Sequence, residues 1–161
     1  MTTWNDVTTT APDLAADVKS RFEAHGLGLL ATLRSDGSPR ISGIEPWFGV
    51  GELWIGMMWQ SLKALDLLRD PRMSLHSATI DTKVEHGDAR VSGRAVAVED
   101  DATMAEALGA FAVATGNEAP PGQMHLFRID VTELMFLRPD GDHLDIRTWS
   151  ATRGERRIER R

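Results

Sequence analysis

The chain has 161 residues, 42% of them hydrophobic and 26% charged, which suits one domain with a real core. Its 24 acidic and 18 basic side chains leave a net charge of −6, against a general nucleic-acid binder, and the absence of cysteine removes disulfides, thiolate nucleophiles, iron–sulfur ligation and thiolate zinc sites. No apolar run approaches the roughly 20 residues of a membrane span, and the polar N-terminus carries no secretory signal, so a cytoplasmic protein with no membrane partner is expected.

Residues 1–10 read as a flexible polar arm. Thr10 is placed to cap a helix that Pro12 and Asp13 open, and Leu14, Val18 and Phe22 recur on one stripe until Gly26 ends it. Residues 27–34 read as a strand, 35–38 as a glycine turn, and 39–48 as the returning antiparallel strand. A second turn at residues 49–51 leads to a third strand, 52–57. A short helix follows from Ser61 to about Arg69, with Leu62, Leu65 and Leu68 at helical spacing, and Asp70-Pro71 stops it. Strands are expected at residues 72–79 and 88–99, separated by a polar loop. Asp100-Asp101 caps another helix, with Met104, Leu108, Phe111 and Ala112 on one face and Gly116 as its stop. After a proline-rich loop, 117–122, residues 124–138 read as a long strand, bent or bulged, and 143–149 as the last strand. The remainder carries five arginines and two glutamates and reads as a basic tail, 150–161.

These elements predict one domain over residues 11–149. It is mainly β (α+β), with six to seven mostly antiparallel strands and about three helices. Such strands close most simply into a small barrel, which removes exposed edges. Gly26-Leu27-Gly28-Leu29-Leu30-Ala31 matches the G-x-G-x-x-A dinucleotide fingerprint, but a helix precedes it and a hairpin follows, the reverse of the required context.

The chemistry concentrates just after the third strand. A helix start offers unpaired N–H groups and the positive end of the macrodipole; Ser61 is a good cap and Lys63 adds a full charge in the first turn. Together they form a candidate phosphate seat, the alternative being a capped surface helix with one solvated lysine. Met57, Met58 and Trp59 offer a soft apolar wall, although alternating strand positions assign at least one of them to the core. Trp47 is a second wall or a dimer contact. The histidines (His25, His76, His86, His125 and His143) form no compact ligand set, so no metal site is expected. The arginines from Arg153 onward are either a disordered tail or a reach toward cofactor charges in a partner subunit.

The run from Glu52 to Ser77, ELWIGMMWQSLKALDLLRDPRMSLHS, resembles the flavin-binding core of the pyridoxamine 5′-phosphate oxidase-like family. That core has a strand, a turn, a Ser-Arg-Lys-type triplet, a short helix and an Asp-Pro-Arg entry to the next strand. The upstream hairpin LLATLRSDGSPRISGIEPWF and the later strand DARVSGRAVAV resemble further family motifs, so the likeness covers roughly residues 24–99. It implies a split β-barrel, a homodimer with the cofactor at the subunit interface, and binding of FMN, the deazaflavin coenzyme F420 or, in a few branches, haem. The implied function is an oxidoreductase exchanging hydride with a small substrate. The implied alternative is a non-catalytic cofactor or haem carrier, or a haem-degrading relative. The resemblance places Ser61 and Lys63, with Leu62 between them, at the phosphate positions. It sets Ser42, Gly43, Ile44 and Glu45 along the flavin ring, Gly56 and Met57 at the strand end beside it, and Trp149 as a late tryptophan near the cofactor. Leu62 stands where the oxidase has arginine, which removes a bidentate phosphate clamp. No counterpart of the oxidase's C-terminal Arg and His pair is found. True pyridoxamine-phosphate oxidation is therefore not expected.

Overall fold

A computed structural model describes residues 1–119 and 122–161, so the two central prolines of the 117–122 loop lie outside the described residues. Nine strands and four helices are present among the described residues: α1 (Trp4–Thr10), α2 (Pro12–Glu23), β1 (Gly28–Leu33), β2 (Pro39–Ile44), β3 (Pro46–Gly49), β4 (Glu52–Met58), α3 (Leu62–Arg69), β5 (Arg72–Ser77), β6 (Asp88–Ala97), α4 (Asp101–Thr115), β7 (Met124–Asp140), β8 (His143–Ser150) and β9 (Gly154–Arg160). None of the helices is long and apolar enough to cross a membrane.

All strand pairs are antiparallel, in the order β2-β1-β5-β6-β7-β4-β3, with β8 pairing outward from β7 and β9 from β8. The two ends of this path, β2 and β3, are consecutive in the chain, joined only by Glu45. The segment expected as one strand over residues 39–48 is therefore broken. Pro46 has no N–H to continue the ladder, so the chain leaves β1 and joins β4 within one residue, closing the sheet on itself. A second irregularity lies where Ser92 faces Glu133 but Gly93 faces Val131, leaving Thr132 as the extra residue of a bulge. Glycine is required at position 93, since a Cβ there would sit 2.3 Å from the Asp130 carbonyl oxygen.

Period-two alternation divides the side chains between two cores. The inner faces supply Leu30, Leu53, Ile55, Leu75, Phe127 and Ile129, which meet α1 and α2 in the main cluster. Leu14, Val18 and Phe22, the predicted stripe, are all buried there; each full burial stabilises by about 1.5–3 kcal/mol. The outer faces of β3, β4 and β7 bear a smaller cluster, Trp47, Trp54 and Leu126, covered by Ala107 of α4.

Both ends of the chain depart from the sequence expectation. Residues 1–10 are not an arm: α1 is closed by a capping box between Thr3 and Asp6, and Trp4 and Val7 are buried. Thr10 does not cap α2. Its hydroxyl donates back to Asp6 O, and Ala11 occupies the cap position without a side-chain bond. The basic tail is strand β9, and His143–Ser150 is not the last strand. Buried Asp145 accepts from Arg157 Nε at 2.6 Å, which pins β9 to β8. In α3 the buried residues are Ala64, Asp66 and Leu67, whereas Leu62 and Leu68 face outward. On α4, Asp100 caps and left-handed Gly116 terminates the helix, but Ala112 is exposed and Ala107 takes the buried position.

Candidate functional site

The break in the barrel leaves a cleft of about 380 Å³ against α4. Gly43, Ile44 and Glu45 line it from the break itself, and Gly56, Met57 and Met58 from β4. Lys63 and Leu27 border it, and Trp47, Leu108 and Phe111 form an aromatic and aliphatic wall. Ala119, Gln123 and Met124 complete the lining. A Cβ on Gly56 would meet Met124 Cε at 2.7 Å and the Trp47 ring at 3.3 Å, so glycine keeps these groups close to the floor.

The turn from β4 into α3 passes through Gln60 in the left-handed region (φ 58°), a conformation non-glycine residues adopt at a cost. Ser61 follows as the N-cap, but its hydroxyl makes no cap bond. Its Oγ is buried with no hydrogen-bond partner among the described residues. Ala64 and Leu65 donate to Ser61 O, which leaves the N–H groups of Leu62 and Lys63 without an intrahelical acceptor. Lys63 Nζ donates to Gly43 O at 2.7 Å, tying the helix start to the barrel break. Partial burial pulls the Lys63 ammonium below the usual lysine value, and neighbouring Glu45 pulls the other way.

A buried carboxylate fixes α3 in this position. Asp66, 3% exposed, accepts from Thr32 Oγ1 on β1 at 2.9 Å, from Arg40 Nε on β2 at 2.7 Å and from Arg69 at 3.1 Å. Burial alone would raise its carboxyl; the hydrogen bonds from Arg40, Arg69 and Thr32 outweigh that and hold it below the ordinary carboxylate value. Arg69 also donates to Leu33 O. The Asp-Pro-Arg motif acts locally: Asp70 accepts from both Nε and a terminal nitrogen of Arg72, which lowers its carboxyl to about 2 and forms the bend into β5.

Of the residues singled out from the sequence, Gly43, Ile44, Glu45, Gly56, Met57 and Lys63 line one cleft. Ile44 and Met57 belong at the same time to the main core cluster. Ser42, Ser61 and Leu62 adjoin this lining in the chain without forming part of it, Leu62 being 62% exposed. Trp149 lies apart from these residues: it is buried in the main core opposite Leu134 and is not among the residues that line the cleft. Of the three-residue wall, Met57 is core and Met58, 80% exposed, lines the cleft. Trp59 instead stacks on His125 at 4.4 Å. Sequence reasoning missed the α4 contribution. The apolar face of α4 was legible, but nothing local said that it packs on Trp47, whose Nε1 donates to Ala107 O at 3.1 Å. Met124 was equally hidden, because it reaches the cleft only through its register opposite Met58.

Comparison with known proteins follows the same lines. No curated protein matches the sequence. Among solved structures, the conserved hypothetical protein Rv2991 of Mycobacterium tuberculosis is similar at 22% identity, with 74% of this chain and 81% of that one covered and a TM-score of 0.63. A heme binding protein from Mycobacterium smegmatis shares 23% identity over 81% of this chain and 57% of its own (TM-score 0.57). A pyridoxamine 5′-phosphate oxidase-related, FMN binding protein from Nostoc punctiforme PCC 73102 shares 12% over 96% and 97% (TM-score 0.62). At these identities the likeness is one of fold. The sequence model described as pyridoxamine 5′-phosphate oxidase matches residues 14–138. That span runs from α2 nearly to the end of β7 and takes in every element around the cleft, so the chain belongs to the pyridoxamine 5′-phosphate oxidase-like split-barrel family.

Proposed function

We propose that the cleft binds a flavin-type cofactor, FMN or the deazaflavin coenzyme F420, and that the protein is an oxidoreductase exchanging hydride with a small substrate. One observation carries this reading. The Lys63 ammonium lines the cleft beside Gly43 and Glu45, at the start of a helix whose Leu62 and Lys63 N–H groups have no intrahelical acceptor. Such a set fits a phosphate joined to a flat ring.

The cofactor supplies the hydride chemistry when bound. The chain's own part is placement. Lys63 spends one of its three protons on Gly43 O and keeps two for the phosphate. Asp66 fixes the helix that carries them. The β2–β3 break offers backbone groups to the ring edge, and Met58 and Met124 exclude water beside it. A homodimer with the cleft at its interface is part of the proposal. Leu29 and Ile41 on the outer β1–β2 surface, and Leu62 on α3, are exposed apolar side chains of the kind an interface covers.

Haem carriage is the second reading, supported by the Mycobacterium smegmatis likeness. Among the described residues no histidine lines the cleft, so the lining of this chain supplies no imidazole ligand. Separate titrations with FMN, the deazaflavin and haemin decide between the readings. Tight flavin or deazaflavin binding is expected; a Soret band with no flavin binding would overturn the oxidoreductase reading.

A further inference from the structure

We infer that Arg40 is a positioning residue for the cleft: bonded to Asp66, it holds the start of α3 at a fixed place along β2 without itself touching a ligand. The inference rests on the cofactor reading for the phosphate it serves, while the coupling of strand to helix stands on this chain's own contacts.

Arg40 lies on β2, three residues before Gly43, and is not among the described residues that line the cleft. Its side chain is only 20% exposed, and its Nε donates to Asp66 Oδ2 at 2.7 Å. The same oxygen accepts from Thr32 Oγ1 at 2.9 Å. Thr32 and Arg40 face each other across the β1–β2 ladder. One carboxylate oxygen therefore meets a matched cross-strand pair, and a slip of either strand would break it.

Lys63 precedes Asp66 by three residues, so the two side chains leave neighbouring positions on one face of α3. Lys63 Nζ bonds Gly43 O at 2.7 Å. Among the described residues, the Lys63 and Asp66 bonds are the two side-chain hydrogen bonds that join α3 to β2. Thr32 and, through Arg69, Leu33 O hold the helix against β1. The offset along β2, where the Gly43–Glu45 lining begins, is left to Arg40 and Lys63. Arg40 and Gly43 are about 10 Å apart along the strand, and Lys63 and Asp66 about 4.5 Å apart along the helix axis. Two ties at separate points stop the helix start from pivoting on the strand; one tie would let it turn. A Lys63 that left Gly43 O to meet a phosphate would leave the Arg40 bond as the remaining tie to β2. Arg40 thus fixes where the Lys63 ammonium and the first helix N–H groups stand relative to Gly43–Glu45.

The test measures FMN and riboflavin affinity by flavin fluorescence in Arg40→Met, Asp66→Asn and the double variant, at a temperature where each is folded. Arg40→Met keeps the apolar stem and removes the guanidinium. It is expected to weaken FMN about tenfold, the worth of one misplaced charged hydrogen bond, and to change riboflavin less than about twofold. Because Arg40 acts through Asp66, the double variant is expected to lose no more than the larger single loss. A merely structural role would lower the melting midpoint and leave the FMN-to-riboflavin ratio as in wild type, which would overturn the inference. Equal losses for the two ligands would overturn it too, as would losses that multiply in the double variant, the mark of direct contact with the phosphate. Should Arg40→Met not fold, Arg40→Lys keeps a cation facing Asp66 but loses the Nε geometry; the same selective FMN loss is expected, and a wild-type ratio would overturn the inference. If the wild type binds no FMN, the cofactor reading falls by itself, and the positioning is judged by amide exchange. The Ala64 and Leu65 N–H groups, bonded to Ser61 O, are then expected to exchange about tenfold faster in the variant, with those of Leu30 and Ile129 in the core unchanged. Unchanged exchange at Ala64 and Leu65, or a uniform rise at all four, would overturn it.

Discussion

Replacing Lys63 with alanine isolates the proposed phosphate seat. The side chain reaches across to Gly43 O and makes no ion pair among the described residues, so its removal takes away one ammonium and one hydrogen bond while α3 remains anchored through Asp66. A hydrogen bond to a charged group contributes about 1.5–3 kcal/mol, which corresponds to a roughly 10- to 150-fold loss of FMN affinity. The site is open to solvent, and two helix N–H groups persist in the variant, so the lower half of that range is expected. Riboflavin, which has the ring without the phosphate, is the control: its affinity should change less than about twofold, well under the contribution of one charged hydrogen bond. Flavin fluorescence quenching on wild type and variant reads both numbers. An equal loss for FMN and riboflavin would mean that Lys63 supports the ring or the fold rather than the phosphate, and an unchanged FMN affinity would remove the seat altogether. The pH profile adds a second readout. Because partial burial lowers the Lys63 pKa, FMN affinity should begin to fall on the alkaline side at a lower pH than an ordinary lysine predicts, and this limb should vanish in Lys63→Ala.

Asp66→Ala strands the Arg40 guanidinium, only 20% exposed, and the buried Thr32 hydroxyl; a loss of about 2–4 kcal/mol in urea denaturation is expected. Since the folded-state pKa of Asp66 is depressed, its contribution is complete above the ordinary carboxylate range and fades as pH falls through the lowered value. The gap between wild type and variant should therefore narrow in acid; a constant gap would mean that Asp66 acts through packing alone. Trp4→Ala removes a ring 5% exposed and 4.6 Å from Phe48, and a destabilisation of about 3–5 kcal/mol is expected. A change below roughly 0.5 kcal/mol, the surface-residue range, would return residues 1–10 to the status of an arm. Gly49→Ala should cost about 1–3 kcal/mol through overpacking against Ala110, visible as a lowered midpoint in thermal melts. Neutrality there would show that α4 shifts freely.

Much of the barrel was legible from local rules. Turn glycines, period-two alternation and proline stops located eight of the nine strand segments, with β2 and β3 fused as one, because each signal depends on residues adjacent in the chain. The candidate site was half legible for the same reason. Ser61, Lys63, Gly43 and Gly56 sit on motifs whose order along the chain is distinctive, and the family assignment followed from that order. What stayed hidden depends on contacts between distant segments. Residues 1–10 look like a polar arm because only Met1, Trp4 and Val7 are apolar, yet Trp4 and Val7 reach the core once α2 and the sheet exist to receive them. The arginine-rich end looks unstructured until buried Asp145 on β8 meets Arg157. Asp66 looks like one more solvated helix acid until Thr32 and Arg40 arrive from 34 and 26 residues upstream. The aromatic wall exists only because α4 crosses the β3–β4 hairpin at Gly49. Sequence determined most of the strand segments and singled out Ser61 and Lys63 as a candidate phosphate seat. Tertiary structure alone decided what surrounds that candidate seat, because burial and counter-charge belong to the assembled space and not to any one stretch of chain.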